Sequence, residues 1–150
     1  MTDDYTTLRD SAFMQVFLDL VVPPSVDGKM PGAGSLGLAT ELADVLAADD
    51  RFGPSVEAGL RAVQTAALER EPGGFLGLSP EARLEVIESQ LVAHPALMPG
   101  VTSHLYLAYY QHPTVLAGLG EPARPPFPEG FEVQETDPRL LEKLRARGNP

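Results

Sequence analysis

The residues able to do chemistry are few and widely spaced. Three histidines, His94, His104 and His112, are the candidates for metal ligation or general-base work. On one helix His104 and His112 stand about 12 Å apart, too far to share an ion, and no carboxylate–histidine cluster at ligand spacing accompanies them. His94-Pro95 and His112-Pro113 fall at predicted helix ends, where an imidazole meets terminal carbonyls. Structural roles are expected for all three. No serine sits in a G-x-S-x-G elbow. The chain has no cysteine, which excludes thiolate catalysis, disulfides, iron–sulfur clusters, cysteine zinc sites and covalent c-type haem. Adjacent carboxylates such as Asp49-Asp50 read as a solvated helix end rather than an acid/base pair.

One motif points toward a cofactor. Gly32-Ala33-Gly34-Ser35-Leu36-Gly37 spells G-x-G-x-x-G ahead of a helix. The dinucleotide fingerprint also needs a buried strand immediately before the glycines, to aim the helix N-terminus at the pyrophosphate. Here a polar, proline-containing loop precedes them, and no strand–helix–strand unit follows. A glycine-eased entry into a helix is the expected reading, with no catalytic, cofactor-binding or metal residue assigned.

The 150 residues fit one domain, and a 43% hydrophobic fraction suffices for a modest core. The net charge is -10, and residues 1–50 hold nine acids against Arg9 and Lys29. An acidic chain without a basic run is poorly suited to nucleic acid or anionic membrane. The acidic start lacks the features of a signal peptide. The apolar run from Ala12 to Val22 is interrupted by Gln15 and Asp19 and is too short to span a bilayer, so no direct membrane insertion is expected. As written, the sequence reads as cytoplasmic.

The elements that must position these residues are helical. Leu8, Ala12, Phe13, Val16, Phe17, Leu20 and Val21 follow helical spacing until Pro23-Pro24 ends the run. Ser35 is expected to cap a second helix reaching Ala48, with Leu38, Leu42, Val45 and Leu46 inward. Pro54-Ser55 opens a third, striped by Val56, Leu60, Val63 and Ala67 and stopped by Pro72-Gly73-Gly74. Ser79-Pro80-Glu81 offers a serine cap, a proline at the first helical position and an acid in the first turn. That helix is expected to bury Leu84, Ile87 and Leu91. A fifth helix from Val101 to Gln111 presents Leu105, Ala108 and Tyr109 together, and a turn follows from Pro113 to Leu119. Asp137-Pro138 starts a last helix, with Leu140, Leu141 and Leu144 apolar, ending at Gly148. The fold class is thus all-α: a compact bundle of five to six helices over residues 1–119, with an extended Pro-rich C-terminal arm over 120–150 belonging to the same single domain.

The arm holds Pro122, Pro125, Pro126 and Pro128 together with Phe127, Phe131 and Val133. A proline-stiffened strip loses little entropy on binding and suits lying across another protein's surface. On the fifth helix Tyr109 and Tyr110 point about 100° apart, so one buried face hardly accommodates both, and one of them is expected to face a partner.

The stretch Leu107-Ala108-Tyr109-Tyr110-Gln111-His112-Pro113-Thr114-Val115-Leu116-Ala117-Gly118-Leu119-Gly120, continued by Pro125-Pro126-Phe127-Pro128-Glu129-Gly130, Asp137, Leu140-Leu141 and Arg145-Ala146-Arg147-Gly148, resembles the gluconate 2-dehydrogenase subunit 3 family. The front half, with Val22-Pro23-Pro24 and Met30-Pro31-Gly32-Ala33, agrees more loosely.

This resemblance implies a non-catalytic small subunit that stabilises or chaperones a large flavoprotein of the glucose–methanol–choline type. The large subunit holds FAD and oxidises a sugar, sugar acid or glycoside, and no cofactor is expected in this chain. A c-type cytochrome often completes such complexes. Many members begin with a twin-arginine export signal, whereas here Arg9 stands alone. A periplasmic location, and with it the cytochrome, therefore depends on a signal having been removed. Tyr109, Tyr110, Phe127, Pro128, Phe131 and Leu140 are the expected contributors to the partner interface. The alternative is a stand-alone helical adaptor or regulator that binds some other protein through its C-terminal arm.

Overall fold

A computed structural model of the chain describes residues 5–123, 135 and 137–148. Among them every regular element is helical: α1 (Ser11–Val21), a 3-10 turn (Ala33–Leu36), α2 (Leu38–Ala47), α3 (Gly53–Arg70), α4 (Gly74–Gly77), α5 (Pro80–Gln90), α6 (Leu97–Gln111), α7 (Pro113–Gly118) and α8 (Pro138–Arg147). The all-α class holds. The short helix α7 occupies a segment expected to be a turn, and α4 one to which no element was assigned, because four to six residues carry too little periodicity to stand out.

α1, α2, α3 and α6 form the body, with α4 and α5 laid on α3 and the 3-10 turn laid on α1. The third-helix stripe is as expected: Val56, Leu60, Val63 and Ala67 are all fully buried. Around them pack Phe17, Leu18, Leu46, Leu97, Val101 and Leu105. Phe13 meets Phe75 edge to face at 4.9 Å, which brings α4 onto α1.

Local chemistry fixes the helix starts, sometimes away from the expected residue. Asp10 accepts from the Phe13 N–H at 3.1 Å, so α1 begins at Ser11 and Leu8 lies in the preceding turn. The second helix is not capped by Ser35. That hydroxyl donates to the Gly32 carbonyl at 2.8 Å within the 3-10 turn, and Gly37, at φ 71°, separates the turn from α2. α6 begins at Leu97 rather than Val101. Pro99 is tolerated there because the first four helical N–H groups lack intrahelical partners in any case. Ser79 caps α5 as expected, accepting from Ala82 N–H at 3.3 Å.

α5 keeps part of its expected face, with Leu91 packed half-buried against the core. Val86 and Ile87 are buried, whereas Leu84 is exposed. Arg83, beside Leu84, donates from its guanidinium to the carbonyls of Phe75 at 2.9 Å and Leu76 at 2.8 Å, tying α5 to α4. α1 buries a shifted face, with Met14 and Leu18 inside and Ala12 exposed.

A buried carboxylate ties the front of the chain to the body. Glu57, on α3, accepts from the N–H groups of Thr7 at 3.1 Å and Leu8 at 2.9 Å, and from Arg61 at 3.2 Å. Two backbone donors that the turn over residues 6–9 cannot satisfy internally are thereby paired.

Candidate interaction surface

The tyrosine pair of α6 divides as helical geometry requires. Tyr109 is 2% exposed, and its hydroxyl donates to the Pro31 carbonyl at 2.8 Å. Burial, and secondarily the neighbouring Tyr110, hold its phenol above the usual range. This placement corrects the expectation that Tyr109 contributes to a partner interface: its ring belongs to the chain's own core. Tyr110 is 52% exposed and meets the Tyr109 ring edge to face at 5.1 Å.

Tyr110 is part of a strip. One helical turn earlier Tyr106 lies exposed, with ring centroids 6.2 Å apart, and Leu107 beside them is 64% exposed. Thr102, Ser103 and Gln111 complete the lining of a shallow hollow on this side. On the other side of Leu107, α6 faces α2 across a second depression of about 200 Å³, lined by Glu41, Leu42 and Val45 of α2 and by His104, Leu107, Ala108 and Gln111 of α6. The outer side of α6 is therefore a continuous apolar and aromatic surface with polar ends, the composition favoured at protein interfaces. Tyr106 and Leu107 were not among the expected interface residues, although their spacing from Tyr110 at i+4 and i+3 carried the signal.

The remaining expected interface residues divide differently. Leu140, on α8, is 53% exposed. Phe127, Pro128 and Phe131 lie outside the described residues, within the stretch 124–134 of the arm.

Two histidines make contacts within the fold. His104 Nδ1 faces the Gly100 carbonyl at 2.9 Å and Nε2 faces Asp49 at 3.1 Å, so both ring nitrogens are committed and neither is aimed at a substrate. Asp49 in turn accepts from the N–H groups of Arg51 at 2.8 Å and Phe52 at 3.2 Å. Partial burial pushes this carboxyl up, but the two N–H donors and the His104 imidazole outweigh it and hold it below the ordinary carboxylate value. The pair therefore clamps α6 to the turn between α2 and α3. His112 does not meet helix-terminal carbonyls. It sits at the N-cap of α7, and its Nδ1 accepts from the Thr114 N–H at 3.2 Å. Among the described residues no group of three or more histidines and carboxylates could hold a metal ion.

The G-x-G-x-x-G glycines also have a packing explanation. A Cβ at Gly34 would overlap the Gln15 carbonyl oxygen, and one at Gly32 would overlap the Asp19 carboxylate. The Gly34 N–H donates to that same carboxylate at 2.8 Å. The glycines let the 3-10 turn lie directly on α1, with the backbone donor already used.

No helix among the described residues is long and apolar enough to cross a membrane. No protein-family model, curated protein or solved structure matches the chain, so the surface on α6 stands on its own geometry.

Proposed function

We propose that this chain is a non-catalytic accessory subunit that docks on a larger FAD-dependent dehydrogenase of the glucose–methanol–choline type and stabilises it. The observation that carries the docking role is the exposed strip of Tyr106, Leu107 and Tyr110 on α6. Exposed aromatic side chains of this kind bury large area at low entropy cost and act as anchors at interfaces. The nature of the partner rests on the sequence resemblance, in which the same Tyr-Tyr segment leads into the proline-rich arm. FAD belongs to the partner in this reading.

Co-expression with a flavoprotein of that type tests the reading. The expected result is a yellow complex that survives gel filtration, and that the double change Leu107→Asp, Tyr110→Ala dissociates. A flavoprotein that folds, holds FAD and elutes apart from this chain would overturn it.

A second reading has one observation in its favour. Among the described residues no buried side-chain polar atom lacks a hydrogen-bond partner, and the body encloses a core of its own. A stand-alone helical adaptor needs such self-sufficiency. It would be soluble alone, and removal of residues 121–150 would abolish its binding without unfolding the body.

A further inference from the structure

α8 and the depression between α2 and α6 are complementary surfaces that the chain leaves apart. α8 exposes Leu140 and Leu144, one turn apart on the same side. At about 100° per residue, Arg139, Lys143 and Arg147 fall along one edge of that apolar stripe and Arg145 along the other. The helix carries these four cations against one acid, Glu142. None of the four forms an ion pair among the described residues. Arg139 and Lys143, one turn apart, repel each other. A helix of this kind is stabilised by an apolar strip with acidic edges.

The α2–α6 groove has that character. Leu42, Val45, Leu107 and Ala108 give it an apolar lining, Gln111 and the Asp49-paired His104 complete it, and Glu41 stands on it without an ion pair among the described residues. Asp44, three residues further along α2, adds an exposed carboxylate that it shares with Arg9 at 3.0 Å. The whole body is acidic: residues 5–123 carry fourteen acids against six bases. That excess also repels an anionic membrane surface, the other common destination of a basic amphipathic helix.

We propose that α8 of one copy seats in the α2–α6 groove of a second copy, and that two copies exchange these helices reciprocally. Within one chain every described side chain of α8 is exposed and the groove is open, so a second copy supplies each with its missing half. Exchange about a two-fold axis makes both contacts at once. Doubling the contact in this way moves the buried area toward the roughly 1,000 Å² that a specific interface needs. Leu107 belongs to both this groove and the strip of the flavoprotein reading, so the variants below leave Tyr106, Leu107 and Tyr110 unchanged and the test uses the chain by itself.

Sedimentation equilibrium on the full chain, over a range of concentrations, tests the exchange. The expected mass approaches twice 16.1 kDa, with association weakening as salt screens the basic helix from the acidic groove. The helix variant Leu140→Asp, Leu144→Asp and the groove variant Glu41→Lys, Val45→Lys should each weaken dimerisation at least tenfold. All four positions are exposed, so circular dichroism should report an unchanged helical body. Mixing the two variants restores one good helix-to-groove contact per pair, so a mixed dimer should form more tightly than either variant with itself. A monomer at all concentrations, a dimer indifferent to both variants, or a mixture no tighter than its components would overturn the proposal.

Discussion

The rings of Tyr109 and Tyr110 meet edge to face at 5.1 Å, yet one tyrosine lies in the core and the other on the surface. The Tyr109 hydroxyl reaches 78 positions back along the chain to the Pro31 carbonyl, fixing α6 against the loop that leads into the 3-10 turn. Tyr110 then has no inward position available and completes the outer strip with Tyr106 and Leu107. A single substitution at each residue should therefore separate stability from binding.

Tyr109→Phe removes a hydrogen bond while keeping the ring, and should cost about 0.5–1.5 kcal/mol. Tyr110→Ala acts at an exposed site and should alter stability by no more than about 0.5 kcal/mol. Urea denaturation of both variants gives the comparison. The reverse ordering would mean that Tyr110, not Tyr109, supports the core.

Glu57 holds two backbone donors that nothing else nearby can satisfy. Glu57→Ala strands the Thr7 and Leu8 N–H groups at a cost of about 1–3 kcal/mol each. Glu57→Gln keeps one acceptor and should lose less. Hydrogen exchange at these two amides should accelerate strongly in the alanine variant and modestly in the glutamine variant.

Asp49 makes stability depend on pH in the acid range. Its folded value lies below the ordinary 3.8, so its stabilising contribution is complete above that value and is lost as pH falls through the lower folded value. Asp49→Asn keeps an acceptor for the backbone donors but removes the charge facing His104. Denaturation midpoints of parent and variant should differ at pH 5 and converge as the solution is taken well below the ordinary carboxylate value. A gap that persists unchanged down that limb would exclude the charge as its source.

The two kinds of glycine in the G-x-G-x-x-G stretch should respond differently. Gly34→Ala places a Cβ against the backbone of Gln15, which no side-chain rotation relieves, and should cost about 1–3 kcal/mol through displacement of the 3-10 turn. Gly37→Ala meets no atom within 4 Å but must hold φ near +71°, at about 1–2 kcal/mol. Thermal denaturation measures both losses. Chemical shifts of the α1 residues near Gln15 and Asp19 should move only in the Gly34 variant.

Much of the helical plan was legible in the sequence because it is written in short-range terms. Period and punctuation specified the α3 stripe, the Ser79 cap of α5 and the helix from Asp137-Pro138 to Gly148. The angle between successive residues required Tyr109 and Tyr110 to face different ways. None of this needs knowledge of what lies across the gap, since 100° per residue and a side-chain oxygen near an unpaired N–H are properties of the segment itself.

What the segments could not state was which neighbour each would meet. The tie between α5 and α4 depends on Arg83 reaching the carbonyls of α4, and the start of α2 on a glycine turn laid against α1. The buried role of Glu57 depends on a turn fifty residues away. The partner of the Tyr109 hydroxyl, the Pro31 carbonyl, lies 78 positions away, and only the packed chain brings Leu107 and Val45 to opposite walls of one groove. Sequence set the periodicity because local sterics and backbone hydrogen bonding act within a few residues. Tertiary structure chose the faces because burial and partner geometry exist only once distant segments are in contact.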